Sequence, residues 1–125
     1  MANILIVDDD EAILTLLESY LNAIGHKAFR ATEGYSALPA FKGCKPALMI
    51  LDYQMPAGSG VDVLNRVRGL EGGGAVPAIF LTAKPLREMK ELVPETPLIR
   101  FLQKPIKMEE LRETIEQLLL PPSAV

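Results

Sequence analysis

Apolar residues along this chain fall into two alternating rhythms. Short continuous runs, Asn3 to Val7, Ala47 to Leu51, Pro77 to Leu81 and Leu98 to Leu102, stop at charged residues, Gly or Pro or within a few residues of them. Runs of this length predict strands buried on both faces, as in the middle of a parallel sheet. His26 to Ala31 is a weaker, half-polar run and predicts a strand at the sheet edge. Between the runs, apolar positions recur every three or four residues. Ile13, Leu16, Leu17, Tyr20, Leu21 and Ile24 predict a first helix from about Asp10 to Ile24, stopped by Gly25. Asp10 and Glu11 stand in its first turn, where the helix dipole favours negative charge. Thr32 is placed to cap a second helix covering Tyr35, Leu38 and Phe41, which Pro39 should shorten or kink. After Asp52, Pro56 and Gly58 forbid much regular structure. Val61, Leu64 and Val67 then mark a third helix, Gly60 to Arg68, ended by Gly69 and the glycines at 72 to 74. Pro85 suits the first position of a fourth helix running through Met89 and Leu92 and cut off by Pro94 and Pro97. A fifth, from about Lys107 to Leu120, turns Met108, Leu111, Ile115, Leu118 and Leu119 inward and Glu109, Arg112, Glu113 and Glu116 outward.

Five strand and helix pairs in strict alternation imply a parallel sheet with helices on both faces, because right-handed crossovers allow little else. The expectation is a doubly wound α/β sandwich. At 125 residues the chain is about one domain long. That domain is expected over residues 1–120, with Pro121 to Val125 as a tail or the start of a linker. A net charge of −3 excludes a nucleic-acid footprint, which needs clustered surplus Lys and Arg. Cys44, the one cysteine, lies between Gly43 and Lys45 and reads as an incidental thiol in a loop. The run Ile4 to Val7 is too short for a signal peptide, and no stretch is long enough for a membrane span. A cytoplasmic protein without membrane or direct nucleic-acid partners is therefore expected.

The strands end on polar residues. Asp8 and Asp9 follow the first, Asp52 the third and Thr82 the fourth, while Lys104 lies two positions past Leu102. A parallel sheet brings these ends to one edge, where open α/β sheets bind ligands. Three carboxylates gathered there repel one another and call for a cation. Oxygen ligands without His or Cys favour a hard ion, Mg²⁺, with Mn²⁺ as a substitute. Lys104 adds a positive charge and Thr82 a hydroxyl donor, both suited to phosphoryl oxygens. An aspartate can itself accept a phosphoryl group as an acyl phosphate. The set reads as a site for transferring phosphoryl to Asp52.

Four motifs in order, Ile-Leu-Ile-Val-Asp-Asp-Asp (4 to 10), Leu-Asp-Tyr-Gln-Met-Pro (51 to 56), Leu-Thr-Ala (81 to 83) and Phe-Leu-Gln-Lys-Pro (101 to 105), carry a resemblance over essentially the whole chain. It resembles the receiver domain of two-component response regulators. That resemblance implies a flavodoxin-like five-stranded sheet of order 2-1-3-4-5. It also implies a phosphohistidine donor on a sensor histidine kinase or histidine phosphotransfer protein, and a downstream effector protein or output domain absent from this chain. The only reactions implied are the domain's own phosphorylation and autodephosphorylation. Residue by residue, Asp52 matches the phosphoacceptor and Asp9 the direct Mg²⁺ ligand, with Asp8 acting mainly through water. Asp52 and the backbone carbonyl of Gln54 complete the metal ligands. Lys104 matches the residue gripping a phosphoryl oxygen, and the backbone of Ala83 a phosphate-binding amide. Thr82 and Phe101 match the switch pair: Thr82 is drawn to the phosphoryl group and Phe101 turns inward behind it. This would bias the surface of helix four, strand five and helix five. Gln54 and Lys84 match positions that tune acyl-phosphate lifetime.

Some features depart from the family pattern. Helix four joins strand five through Val-Pro-Glu-Thr-Pro (93 to 97) instead of a Gly-containing turn, so no dimer mode is inherited with the resemblance. Ser59 stands where an acid often precedes the glycine of the third helix. His26 follows Gly25, away from the site, and reads as a partly buried structural residue. Three rival functions have identifiable gaps. A Mg²⁺-dependent phosphohydrolase usually carries a second acid two residues after its nucleophile, where this chain has Gln54. A flavodoxin-type cofactor binder needs a neutral phosphate loop after strand one, where Asp8 to Asp10 would repel phosphate. A degenerate receiver, acting as a phosphorylation-independent docking module, has no need of the full set Asp8, Asp9, Asp52, Thr82 and Lys104.

Overall fold

The computed structural model describes residues 2–55, 58–70, 72–93 and 96–119. Pro56, Pro94, Leu120 and the tail expected at Pro121 to Val125 lie outside them.

The apolar runs form five strands: β1 (Asn3–Val7), β2 (Lys27–Ala31), β3 (Leu48–Asp52), β6 (Ala78–Thr82) and β7 (Ile99–Gln103). They pair in the order β2-β1-β3-β6-β7, every neighbour parallel. Counting only these strands, the order is the expected 2-1-3-4-5. β3 and β6 are buried at all five positions, which explains their uninterrupted apolar sequences. Successive side chains point to opposite faces of a strand, and here both faces are covered. Leu5, Val7, Met49, Leu51 and Phe80 pack on one side, with Phe41, Val63, Leu64 and Met89 from α2 (Gly34–Cys44), α3 (Gly60–Arg68) and α4 (Leu86–Leu92). On the other side Ile4, Ile6, Leu48, Ile50, Ile79 and Leu81 meet residues of α1 (Glu11–Ala23) and α5 (Met108–Leu119). The central strands extend one residue further than their apolar runs, so Asp52 and Thr82 are the last residues of their strands.

Local departures have local reasons. Asp10 caps α1 by accepting the Ala12 N–H at 2.9 Å. The inward stripe of α1 is Leu14, Leu17 and Leu21, spaced three and four apart, which leaves Leu16 51% exposed. Thr32 does not cap α2. Glu33 occupies the N-cap without a side-chain bond, and the inward pair is Ala37 and Phe41, one helical turn apart. Tyr35, two residues before Ala37, therefore faces out and is 73% exposed. α2 continues through Pro39 over eleven residues. The proline ring falls on an exposed face, where the carbonyl it deprives of a donor can meet water. Cys44 is not a loop residue: it is the last residue of α2 and is buried. His26 is half-buried, as expected, and its Nδ1 accepts the Ala2 N–H at 3.1 Å.

Past Asp52, where little regular structure was expected, the chain folds back on itself. Two short strands, β4 (Gln54–Met55) and β5 (Gly58–Ser59), form an antiparallel ladder. The Gly60 N–H then donates to the Tyr53 carbonyl at 3.0 Å. A Cβ on Gly60 would stand 2.5 Å from the Asp52 carbonyl oxygen, so only glycine lets α3 start this close to the end of β3.

Candidate functional site at the carboxyl edge of the sheet

β1, β3, β6 and β7 deliver their terminal residues to one crevice. Oxygens of Asp8, Asp9 and Asp52 all lie within 4.8 Å of one another, with Asp8 and Asp52 buried and Asp9 exposed. Asp8 Oδ1 accepts the Asp10 N–H at 2.9 Å, while its buried Oδ2 has no hydrogen-bond partner among the described residues. Lys104 Nζ stands 3.6 Å from that Oδ2 and 3.4 Å from Asp52 Oδ1, bridging the two buried carboxylates. The Lys104 backbone is tied to the end of β6, its N–H donating to the Thr82 carbonyl at 2.7 Å. Thr82 is buried, and its Oγ1 accepts the Lys84 N–H at 3.0 Å, which leaves the hydroxyl proton free to donate elsewhere.

A small cavity of about 130 Å³ opens beside these groups, lined by Asp52, Tyr53, Gln54, Thr82, Ala83 and Lys104. Gln54 and Ala83 are exposed at its mouth. The Lys84 ammonium lies 5.9 Å from the centre of the Tyr53 ring, beside the site. Tyr53 was not singled out by the sequence, although an aromatic residue next to a candidate nucleophile is a signal that could have drawn attention to it.

The electrostatics are those of a crowded, under-neutralised site. Burial pushes the Asp52 carboxyl up to about 6, helped by the negative charge of Asp8 and opposed by Lys104 and by the Gln54 backbone N–H. Burial likewise raises Asp8, against the pull of the Asp10 N–H and of Lys104. One ammonium is shared between two buried carboxylates with a third beside them. Asp8 Oδ2 makes no hydrogen bond among the described residues and meets only the shared ammonium, at 3.6 Å. An all-oxygen set with an unmatched Oδ2 fits a hard divalent cation.

The Phe101 ring is buried, 6% exposed, and stacks on Phe80 with centroids 5.6 Å apart.

The family model for the response regulator receiver domain matches residues 4–116. The chain belongs to this family. Among curated proteins, this receiver domain is 29% identical over 116 residues to sporulation initiation phosphotransferase F of Bacillus subtilis (strain 168), covering 93% of this chain and 92% of that protein. It is 35% identical over 116 residues to the transcriptional regulatory protein RprY of Bacteroides fragilis (strain YCH46). That match takes in 93% of this chain but only 48% of RprY, about half its length. Among solved structures, the receiver domain of a sensor histidine kinase from Pseudomonas aeruginosa PAO1 superposes with a TM-score of 0.81 at 26% identity. The superposition covers 93% of this chain and 95% of that one, whose active site cleft coordinates a magnesium ion. The fold, the family and its place in two-component signalling are thereby fixed for this chain.

Proposed function

We propose that Asp52 is the phosphoacceptor of this receiver domain and takes its phosphoryl group from a phosphohistidine on a sensor histidine kinase or histidine phosphotransfer protein. The observation that carries the assignment is Lys104 bridging the buried Asp8 and Asp52, with Asp8 Oδ2 left without a hydrogen bond among the described residues. An ionised Asp52 oxygen attacks phosphorus, the P–N bond breaks, and the imidazole leaves as the acyl phosphate forms. Lys104 is within reach of the transferred group and neutralises its oxygens, while the Thr82 hydroxyl and the Ala83 N–H supply donors. Asp8, Asp9, Asp52 and the Gln54 carbonyl would hold Mg²⁺, or Mn²⁺ in its place, which offsets the charge gathered there.

Thr82 couples the site to the surface. Donation of its hydroxyl to a phosphoryl oxygen would draw the end of β6 inward. β6 carries Phe80, which stacks on Phe101 of β7, so the shift reaches the face formed by α4, β7 and α5. An effector protein or an attached output domain would read that face. Gln54 and Lys84 flank the cavity and would set how readily water reaches the acyl phosphate. The reactions are confined to the domain's own phosphorylation and dephosphorylation, within a domain spanning residues 1–120 and a cytoplasmic setting. Among the described residues no helix is long and apolar enough to cross a membrane.

Intact mass spectrometry after incubation with Mg²⁺ and a small acyl-phosphate donor tests the assignment. A phosphoryl adduct on the native chain that is lost in Asp52→Asn is the expected result. An adduct that persists in Asp52→Asn overturns it, as does the absence of any adduct both with the small donor and with a cognate histidine kinase.

A further inference from the structure

A second and larger cleft lies at the opposite edge of the sheet. Its volume is about 580 Å³, and its lining is Phe41, Lys42, Lys45, Pro46, Leu70 and Gly72. The cleft stands at the entry to β3, six residues before Asp52, or about 20 Å along an extended strand. It is therefore separate from the phosphoacceptor site.

The cleft has two kinds of wall. Phe41 and Pro46 are buried and Leu70 half-buried, giving an apolar floor. Lys42 and Lys45 are exposed at its rim, and neither forms an ion pair among the described residues. No acid is among the described residues that line it; Glu71, between Leu70 and Gly72 in sequence, lies outside the described residues. The walls are also fixed in place. Arg68 donates to the carbonyls of Gly73 at 2.8 Å and Val76 at 2.6 Å, holding the chain that follows Gly72. Lys45 caps the carboxyl end of α2 with φ 46° and ψ 64°, its N–H donating to the Phe41 carbonyl at 3.0 Å. Glycine or asparagine would adopt that left-handed conformation at lower cost. A lysine there sets a second ammonium beside the apolar floor.

A preformed cleft of this size, apolar within and cationic at the rim, matches the form of small-molecule sites. We infer that it binds one small organic anion: an apolar ring or chain bearing a single carboxylate or phosphate, the body against Phe41 and Leu70 and the charge between Lys42 and Lys45. This inference does not depend on Asp52 being the phosphoacceptor.

Anilinonaphthalene sulfonate, an aromatic body with one anionic group, is a suitable probe. Titrated into the full chain at neutral pH and low salt, it should show saturable fluorescence enhancement at one site. The double variant Lys42→Gln/Lys45→Gln should bind about tenfold more weakly, and neutral phenylnaphthylamine should bind the native chain more weakly than the sulfonate. Amide resonances of Lys45, Leu70 and Gly72 should move on binding while those of Asp52 and Thr82 stay in place, and Asp52→Asn should bind the probe as the native chain does. Non-saturable binding, equal affinity for the neutral probe, an unchanged affinity in the double variant, or resonance changes centred on another face would overturn the inference.

Discussion

Replacing Asp52 by Asn should make the metal-free domain more stable at neutral pH. The carboxyl is 6% exposed and is shifted from 3.8 to about 6, chiefly by burial and then by the charge of Asp8. A folded-state pKa raised above the unfolded one means that the folded chain holds the proton more tightly. The neutral form is therefore no burden below the unfolded value. The cost of the buried charge grows as pH rises through that range and is complete above about pH 6. Roughly two pH units at about 1.4 kcal/mol each give about 3 kcal/mol, an order-of-magnitude figure. Asn keeps the shape and removes the charge, and Lys104 retains Asp8 as a partner at 3.6 Å. Urea unfolding with a chelator present should show Asp52→Asn gaining a few kcal/mol near pH 7.5 and about half as much near pH 5. Saturating Mg²⁺ should shrink the gain, because a bound cation already compensates the charge. An unchanged stability near pH 7.5, or a gain of the same size at both pH values, would refute the reasoning.

Three further outcomes follow from the same geometry. Gly60→Ala would set a Cβ 2.5 Å from the Asp52 carbonyl oxygen and 3.1 Å from Phe80 Cε1, so it should cost about 2 kcal/mol of stability and slow phosphorylation of the displaced Asp52; urea unfolding and the rate of adduct formation measure the two effects. Lys104→Met removes the cation that opposes the upward shift of Asp52, so the carboxyl should titrate above about 6 in the metal-free domain, as carbon-detected NMR of the side chain would show. Mg²⁺ should raise the thermal midpoint of the native domain near neutral pH, and Asp8→Asn should reduce that rise, since it removes the buried carboxylate whose Oδ2 makes no hydrogen bond among the described residues.

The crevice was legible because a parallel sheet turns one-dimensional information into a place. Each central strand announces itself as an apolar run, and the residues ending the runs must share an edge. Asp8, Asp9, Asp52, Thr82 and Lys104 are thus gathered by the sequence pattern alone. The helices were less legible. Leu16 and Tyr35 both satisfied a three-or-four spacing and both face solvent, because spacing alone allows several overlapping stripes and only contact with the sheet selects one. Cys44 looked like a loop residue between Gly43 and Lys45, yet packing carries α2 through it.

The sequence by itself determined the strand order's ingredients, the polar residues at the strand ends and the membership of Gly60 at the start of α3. These depend on local pattern and on the few topologies that right-handed crossovers permit. Only the tertiary structure decided the charge balance within the crevice: that Asp8 and Asp52 are buried while Asp9 is exposed, that one lysine bridges the two buried acids, and that Phe101 already lies inside against Phe80. Burial and electrostatic coupling are properties of what surrounds a side chain, and those surroundings come from residues far apart along the chain.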